Sequence, residues 1–446
     1  IDKAVSKVEE QLLDRKTAGG GQDYEPPTLE SALSYMPDAN MVLISLPGMY
    51  AANEAEKALR SDRHVMMFSD NVSLEDEIRL KRIAQERQLL MMGPDCGTSI
   101  INGVPLAFAN KVSKGKIGII AASGTGSQEV SCIITRLGGG ISQLIGTGGR
   151  DLSEKVGGIM MTMALEALSA DPNTEVIVLL SKPPAKPIME KILTMVKTTQ
   201  KRVLVHFIGA NHDEVREMGL EAADTLEDSA YRAYEMAYGQ KAPQYDEELN
   251  HLTSMAIQEG KKLKTHQKYI RGLYSGGSLC DEALVLMTKQ LGDVYSNTPL
   301  TAQGKLSSSN VSCEHTVIDM GDDEFTRGKP HPMIDFSTRS ERLLTEANDM
   351  QTAVILMDVV LGYGAHKDPA KELVPYIAKA KEAVAQRGDY LPIVISLCGT
   401  NDDPQDFSKQ KQVLEKAGAI VATINVRAVR TAIQITKRGE TGKHNS

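Results

Sequence analysis

Tryptophan is absent from this 446-residue chain, and aromatics make up only 4% of it, so aliphatic side chains and methionine must fill its cores. Cysteine is scarce as well. Cys96, Cys132, Cys280, Cys313 and Cys398 are an odd number, widely scattered, with no CxxC pair. That pattern disfavours a disulfide framework or a zinc knuckle and fits reduced thiols in a cytoplasmic protein. No apolar run approaches the roughly 20 residues of a membrane span. A basic surplus is missing too: the formal charge of −8 argues against nucleic-acid or anionic-membrane partners. An acidic chain can still hold a small anionic substrate, but only by focusing donors at one spot. Residues 1–15 read as an amphipathic helix, not a signal peptide.

What is present is a soluble globular balance, 41% hydrophobic and 24% charged, on a chain too long for one compact core. The dominant pattern is a short apolar run, a Gly/Ser/Pro turn and a longer helical stretch, which predicts an α/β fold of parallel sheets. Strands are expected at 41–46, 116–122, 175–181, 202–208, 352–360 and 392–398, with helices over 73–88, 186–199 and 370–387. Boundaries are expected near 112, where NKVSKGK leads into a fresh strand, and across 231–268, a polar stretch read as a helical linker. Residues 437–446 read as a tail.

Three glycine turns carry the chemistry. Ser123-Gly124-Thr125-Gly126 follows a strand and opens a helix, so several N–H groups and a positive dipole end face outward. Such a tip suits a phosphate or a carboxylate. It is equally readable as an ordinary Ser-capped helix start. Gly146-Thr147-Gly148-Gly149-Arg150 follows the next strand, which places Gly148 and Gly149 on the same carboxyl-end edge, with Arg150 as a nearby cation or a surface residue paired with Asp151. Gly362, Tyr363, Gly364 and Ala365 form the third turn, and His366 beside them adds proton-transfer capacity. The stretch GLYSGGSLCDEAL (272–284) echoes GIIAASGTGSQEV (118–130), both reading as strand, Ser-Gly turn and helix. The middle and C-terminal blocks therefore read as two copies of one flavodoxin-like unit. Asp322-Asp323-Glu324 reads as a solvated turn, and no metal site is expected.

The stretch from MVLISLP through GPDCG, KGKIGIIAASGTGSQEV, GTGGRD and DPNTEVIVLL resembles the α subunit of succinyl-CoA synthetase. The stretch TVIDMGDDEFTRGKPHPMIDFSTR, VVLGYGAHKD and SLCGTNDD resembles the ligase domain of the β subunit. The arrangement is most similar to FdrA-type proteins, which carry both in one polypeptide. This resemblance implies a Rossmann-like CoA-binding-type domain over 1–112, without its Gly-rich loop, followed by ligase-type flavodoxin-like domains over 113–230 and 269–436. It implies one phosphate held between two helix N-termini, Ser123 to Gly126 on one and Gly362 to His366 on the other, with catalytic help from His366 and Arg150. Pro47, Pro94, Asp95 and Cys96 would border a CoA-type pocket, and Asp335 and Arg339 would neighbour the substrate.

Two departures from the family pattern shape the expected function. The ligases' phosphohistidine motif, Gly-His-Ala-Gly, is replaced by IGANHDEVREMG, where His212 stands without it. An ATP-grasp region is not legible either. The resemblance then implies chemistry on phosphate or a ready-made acyl phosphate, without a covalent cofactor and with CoA undecided. The expected activity is a carbamoyltransferase interconverting oxalurate plus phosphate with oxamate plus carbamoyl phosphate in anaerobic allantoin catabolism. The alternatives are an NDP-forming acyl-CoA synthetase whose nucleotide domain sits on a companion subunit, and a non-catalytic anion-binding scaffold. Companion subunits or a homo-oligomer are expected partners.

Overall fold

The computed structural model describes residues 25–243 and 246–438. The helix expected within 1–15 and the end of the tail lie outside the described residues. Three sheets organise the chain. The first is a parallel three-stranded sheet, β1 (Met41–Ile44), β2 (His64–Met67) and β3 (Met91–Met92), with helices Gly48–Arg60 and Leu74–Glu86 between its strands. Leu74–Glu86 starts where Ser73 accepts from Asp76 N, with Glu75, Asp76 and Glu77 in the first turn against the positive dipole end.

The second sheet contains β4 (Thr98–Ile101), β5 (Val104–Ala107), β6 (Lys114–Ala121), β7 (Ile141–Gly146), β8 (Val176–Ser181), β9 (Arg202–Phe207) and β10 (Glu221–Ala222), in the order β10-β9-β8-β6-β7-β4-β5. The β4–β5 hairpin is antiparallel and turns on Asn102 and Gly103, both at positive φ. That Asn-Gly pair is a strong hairpin signal, and a purely parallel reading passes over it. The third sheet contains β11 (Tyr269–Tyr274), β12 (Thr316–Asp319), β13 (Thr352–Val360), β14 (Ile393–Cys398) and β15 (Ile420–Ala422), ordered β12-β11-β13-β14-β15 and parallel throughout. Every residue of β13 is buried, as expected of a central strand covered by helices on both faces.

The five-strand run β7-β6-β8-β9-β10 has the same order and direction as β12-β11-β13-β14-β15. The echo between residues 118–130 and 272–284 is therefore a match of topology: β6 and β11 are the second strands of equivalent runs, and each feeds the helix that follows its Ser-Gly turn. The two units share one continuous apolar core, in which Val130, Ile133 and Ile134 of the first cluster with Leu279, Ala283 and Val426 of the second. The stretch 231–268, expected as a linker, contributes to this body. It forms helix Asp246–Gly260, buries Leu252 and Ala256, and places the Glu248 carboxylate on Thr423 and Arg427.

Candidate functional site

Helix Gly124–Arg136 and helix Gly277–Leu291 begin at the carboxyl ends of β6 and β11, and the two tips meet head to head. Ser123 Oγ donates to Ser278 Oγ at 2.7 Å across the join. A side chain at Gly276 would collide with Thr125, whose Oγ1 lies 2.7 Å from the place of a Cβ, so glycine there permits the approach. Neither tip has a side-chain cap, so the first-turn N–H groups and both dipole ends face the shared space.

That space is a cleft of about 730 Å³ at the carboxyl ends of all three sheets, the usual place for a ligand in open α/β folds. Its walls hold Ser123, Gly124, Thr125 and Gln128 from the first tip, and Ser275, Gly276, Gly277, Ser278 and Asp281 from the second. Gly148 and Gly149 line it as well, as do Asp95 and Cys96. Gly148 is needed for contact: a Cβ there would lie 2.3 Å from the Pro94 carbonyl oxygen, and its φ is +84°. Gly126 faces the join, 3.3 Å from Ser278 Cβ at the place of a side chain. Pro47 stands just before helix Gly48–Arg60, beside the lining residues Ser45 and Leu46.

The second helix tip of the cleft is residues 275–278, and the turn at Gly362 is not part of the lining. Gly362, Tyr363 and Gly364 instead pack on residues 107–110. Tyr363 N donates to Ala109 O at 2.8 Å, and a side chain at Gly362 would sit 2.6 Å from that same oxygen. Ala365 packs against the shared core. His366 is held one layer away: its N–H donates to Met333 O, its Nδ1 accepts from Asp368 N, and its ring meets Phe336 edge-on. The reason is topological. The Gly362 turn follows β13, the counterpart of β8, so its equivalent in the first unit is the turn at Lys182. Arg150 is likewise not among the lining residues: its Nε is on Glu77 at 2.8 Å and its Nη2 on Val72 O at 2.9 Å, and its charge reaches Asp95 and Asp323 from behind the lining. Arg339 is fully buried against Asp358, and Asp358 accepts from the N–H groups of Ser275 and Gly276. This pair shapes the second tip from behind.

The charge inside the cleft is the feature that glycine motifs do not reveal. Asp70, Asp95, Asp281, Asp319, Asp322 and Asp323 line it, against Lys182 and Lys329. The enclosing protein, then the charges of Asp323 and Asp70, push Asp95 up to about 7. Burial and the neighbouring Asp281 push Asp319 up to about 8. The Asp319 carboxyl therefore carries a proton for a large share of the time at neutral pH, which lightens the negative field on a bound anion. Burial also raises Asp281, opposed by Lys182, whose ammonium stands 2.9 Å away. The same ion pair outweighs burial at Lys182 and holds it protonated. His331 lines the cleft with its pKa pushed down to about 4 by burial, so it is neutral there. Cys96 is buried, with its thiol raised to about 11, and is no nucleophile at neutral pH.

Asp322 and Glu324 are engaged locally, by Glu324 N and Ser309 Oγ, and among the described residues no group of three metal-ligating side chains is assembled. Also among the described residues, no helix is long and apolar enough to cross a membrane.

Two domain families match this chain: the CoA binding domain over residues 112–209 and the CoA-ligase domain over residues 273–435. Each falls on one of the equivalent units that meet at the cleft, the first match ending before β10. The "uncharacterized protein YahF" of Escherichia coli strain K12 is 46% identical over 432 residues, which is 97% of this chain and 83% of YahF. The chain belongs to the succinyl-CoA synthetase superfamily, in its FdrA-type branch. The mitochondrial succinate–CoA ligase [ADP-forming] subunit alpha-2 of Trichomonas vaginalis is 29% identical over 190 residues, 41% of this chain and 60% of that subunit. The FdrA-type chain thus spans less than two thirds of that subunit. A looser likeness covers 92% of the chain, at 13% identity and a TM-score of 0.42, to the ATP citrate lyase of Methanothrix soehngenii. The FdrA-type chain is accordingly an acyl-CoA-synthetase-like protein, a CoA-binding domain followed by a CoA-ligase domain.

Proposed function

We propose that this FdrA-type chain is the phosphate-handling component of an NDP-forming acyl-CoA-ligase-type enzyme, with phosphate or an acyl phosphate seated in the cleft between the two helix tips. The observation that carries the reading is the head-to-head meeting of helices Gly124–Arg136 and Gly277–Leu291, joined by the 2.7 Å Ser123–Ser278 bond. Two dipole ends and several uncapped N–H groups stabilise one anion without moving, so little reorganisation accompanies charge transfer between phosphoryl and carbonyl oxygens. Ser123, Gly124, Thr125, Gly148 and Gly149 would contribute donors from the first unit, and Gly277 and Ser278 from the second, since Ser275 and Gly276 already donate to Asp358. Lys182 and Lys329 are the cations at hand. Asp95 and Cys96 border the side from which CoA would approach, and a companion subunit would supply nucleotide. The succinate–CoA ligase relatives are themselves named as subunits.

A second reading, transfer of a carbamoyl group between oxalurate and phosphate, draws support from His212. It stands near the chain position of the ligases' phosphohistidine, but its ring is engaged by Phe207 O at 3.1 Å and by Asp224 at 3.4 Å, and it does not line the cleft. An acyl phosphate that arrives ready-made needs no such histidine.

The two readings separate in one assay set on the full chain with its companion subunits. Acyl-CoA formation that requires both CoA and nucleotide supports the ligase. Phosphate-dependent cleavage of oxalurate without either supports carbamoyl transfer. Failure of the isolated chain to bind inorganic phosphate by calorimetry would remove the cleft from both.

A further inference from the structure

One turn into the first helix, the cleft wall carries a side chain whose polarity is dictated from the second unit. Gln128 lines the cleft and is only 1% exposed. Its amide orientation follows from a hydrogen-bond chain that can run one way only. The Leu361 carbonyl can only accept, and Asn110 Nδ2 donates to it at 2.9 Å and to Asp403 Oδ2 at 2.8 Å. Asn110 therefore presents Oδ1 to Gln128, and Gln128 must answer with Nε2, at 2.9 Å. Gln128 Oε1 is then left over, and no described protein group donates to it. Thr125 Oγ1, three residues earlier on the same helical face, is also buried without a protein partner. The equivalent position on the other helix is Asp281, already committed to Lys182. The cleft is thus unsymmetrical: an ion pair on one wall, a buried neutral acceptor without a protein partner on the other.

We infer that Gln128 is a specificity-determining residue, its Oε1 accepting a hydrogen bond from an N–H or O–H on the acyl group held beside the phosphate. This rests on the reading of the cleft as a phosphate site. An acyl group that offers only a methyl leaves a buried amide oxygen unpaired, and sites built around a hydrogen bond reject analogues that lack it. Because Gln128 is held through Asn110 to Leu361 and Asp403, the acceptor is also placed only when the two units are closed on each other.

Carbamoyl phosphate and acetyl phosphate provide the test, since they share carbonyl and phosphate and differ only by an amino group in place of a methyl. Binding of each, and of inorganic phosphate, is measured by calorimetry on the full chain and on Gln128→Met, with a thermal melt to verify folding. The expected result is a preference of about tenfold or more for carbamoyl phosphate in the unmodified chain. That preference should fall below about threefold in Gln128→Met while phosphate affinity stays within about twofold. Phosphate binding with no preference between the acyl phosphates in the unmodified chain overturns the inference and leaves the phosphate site standing, whether or not the variant folds. A preference that survives in folded Gln128→Met overturns the assignment to Gln128. Absence of phosphate binding altogether overturns the reading of the cleft, and this inference with it.

Discussion

The two five-strand units differ less in architecture than in what they place at corresponding points. Both send a helix from a Ser-Gly turn into one cleft, and both use a glutamate at the sixth helical position to cap a helix of the other unit. Glu129 accepts from Asn425 N at 2.7 Å, and Glu282 accepts from Leu226 N at 2.9 Å. Each of those recipients is the first residue of the last helix of its unit. The carboxylates thus supply the donor-satisfying cap that the helix starts need, across the interface. One position earlier the equivalence breaks, with neutral Gln128 opposite charged Asp281. The second tip also has Asp358 on the N–H groups of Ser275 and Gly276, whereas no carboxylate occupies the first. Duplication built the frame, and the departures from it give the cleft a direction, with the first tip open to an anion and the second partly satisfied from within.

The largest effect should come from removing the side chain that braces one of these caps. Asn425 is fully buried and donates to Leu279 O and Glu282 Oε2. Asn425→Ala leaves Glu282 short of a partner in a dry interface, and urea denaturation should show a loss of about 3 kcal/mol. A loss under about 1 kcal/mol would mean that the Asn425 side chain adds little to the union of the units.

Asp319 tests the second tip through pH. Its carboxyl titrates near 8 when folded, against an ordinary value of 3.8. Between those values the folded chain holds a proton that the unfolded chain has released, so this residue makes stability fall as pH rises from about 4 to 8. Asp319→Asn should flatten that part of the curve and raise the melting temperature by a few degrees at pH 8, with little change at pH 4. An unaltered slope would place the titrating group elsewhere.

A double-mutant cycle over Ser123→Ala and Ser278→Ala sharpens the comparison of the tips. Each single change should weaken phosphate binding by about 1 kcal/mol, and the pair should be non-additive by about 0.5–1 kcal/mol because one hydrogen bond joins them. Full additivity in calorimetry would show that the tips act separately. The smallest effect is expected from Arg150→Ala, since its guanidinium serves Glu77 and Val72 O. Phosphate affinity should stay within about twofold. A drop of tenfold would restore Arg150 to the site.

Much of this protein is legible in its residues. The long apolar runs of β13 and β14 announce buried parallel strands, and the Ser-Gly turns after β6 and β11 announce helix starts. The echo between those two turns also held the key to the second tip, because residues 275–278 repeat the pattern of 123–126 more closely than Gly362 to Ala365 do. Short strands such as β12 and β15 escape a reading by apolar runs, since three or four residues carry too little periodicity. The β4–β5 hairpin was marked by Asn102-Gly103.

Sequence by itself determined the fold class, the repeated unit and the first helix tip, because each rests on local rules of burial period, turn chemistry and backbone freedom. The tertiary structure decided which second turn meets Ser123, where Arg150 and His366 spend their polar atoms, and how six aspartates gather at one cleft. Those facts depend on how the two units pack, which brings the helix tips after β6 and β11 together although 155 residues separate Ser123 from Ser278. They depend also on partial burial, which sets the charge that Asp319 and His331 carry.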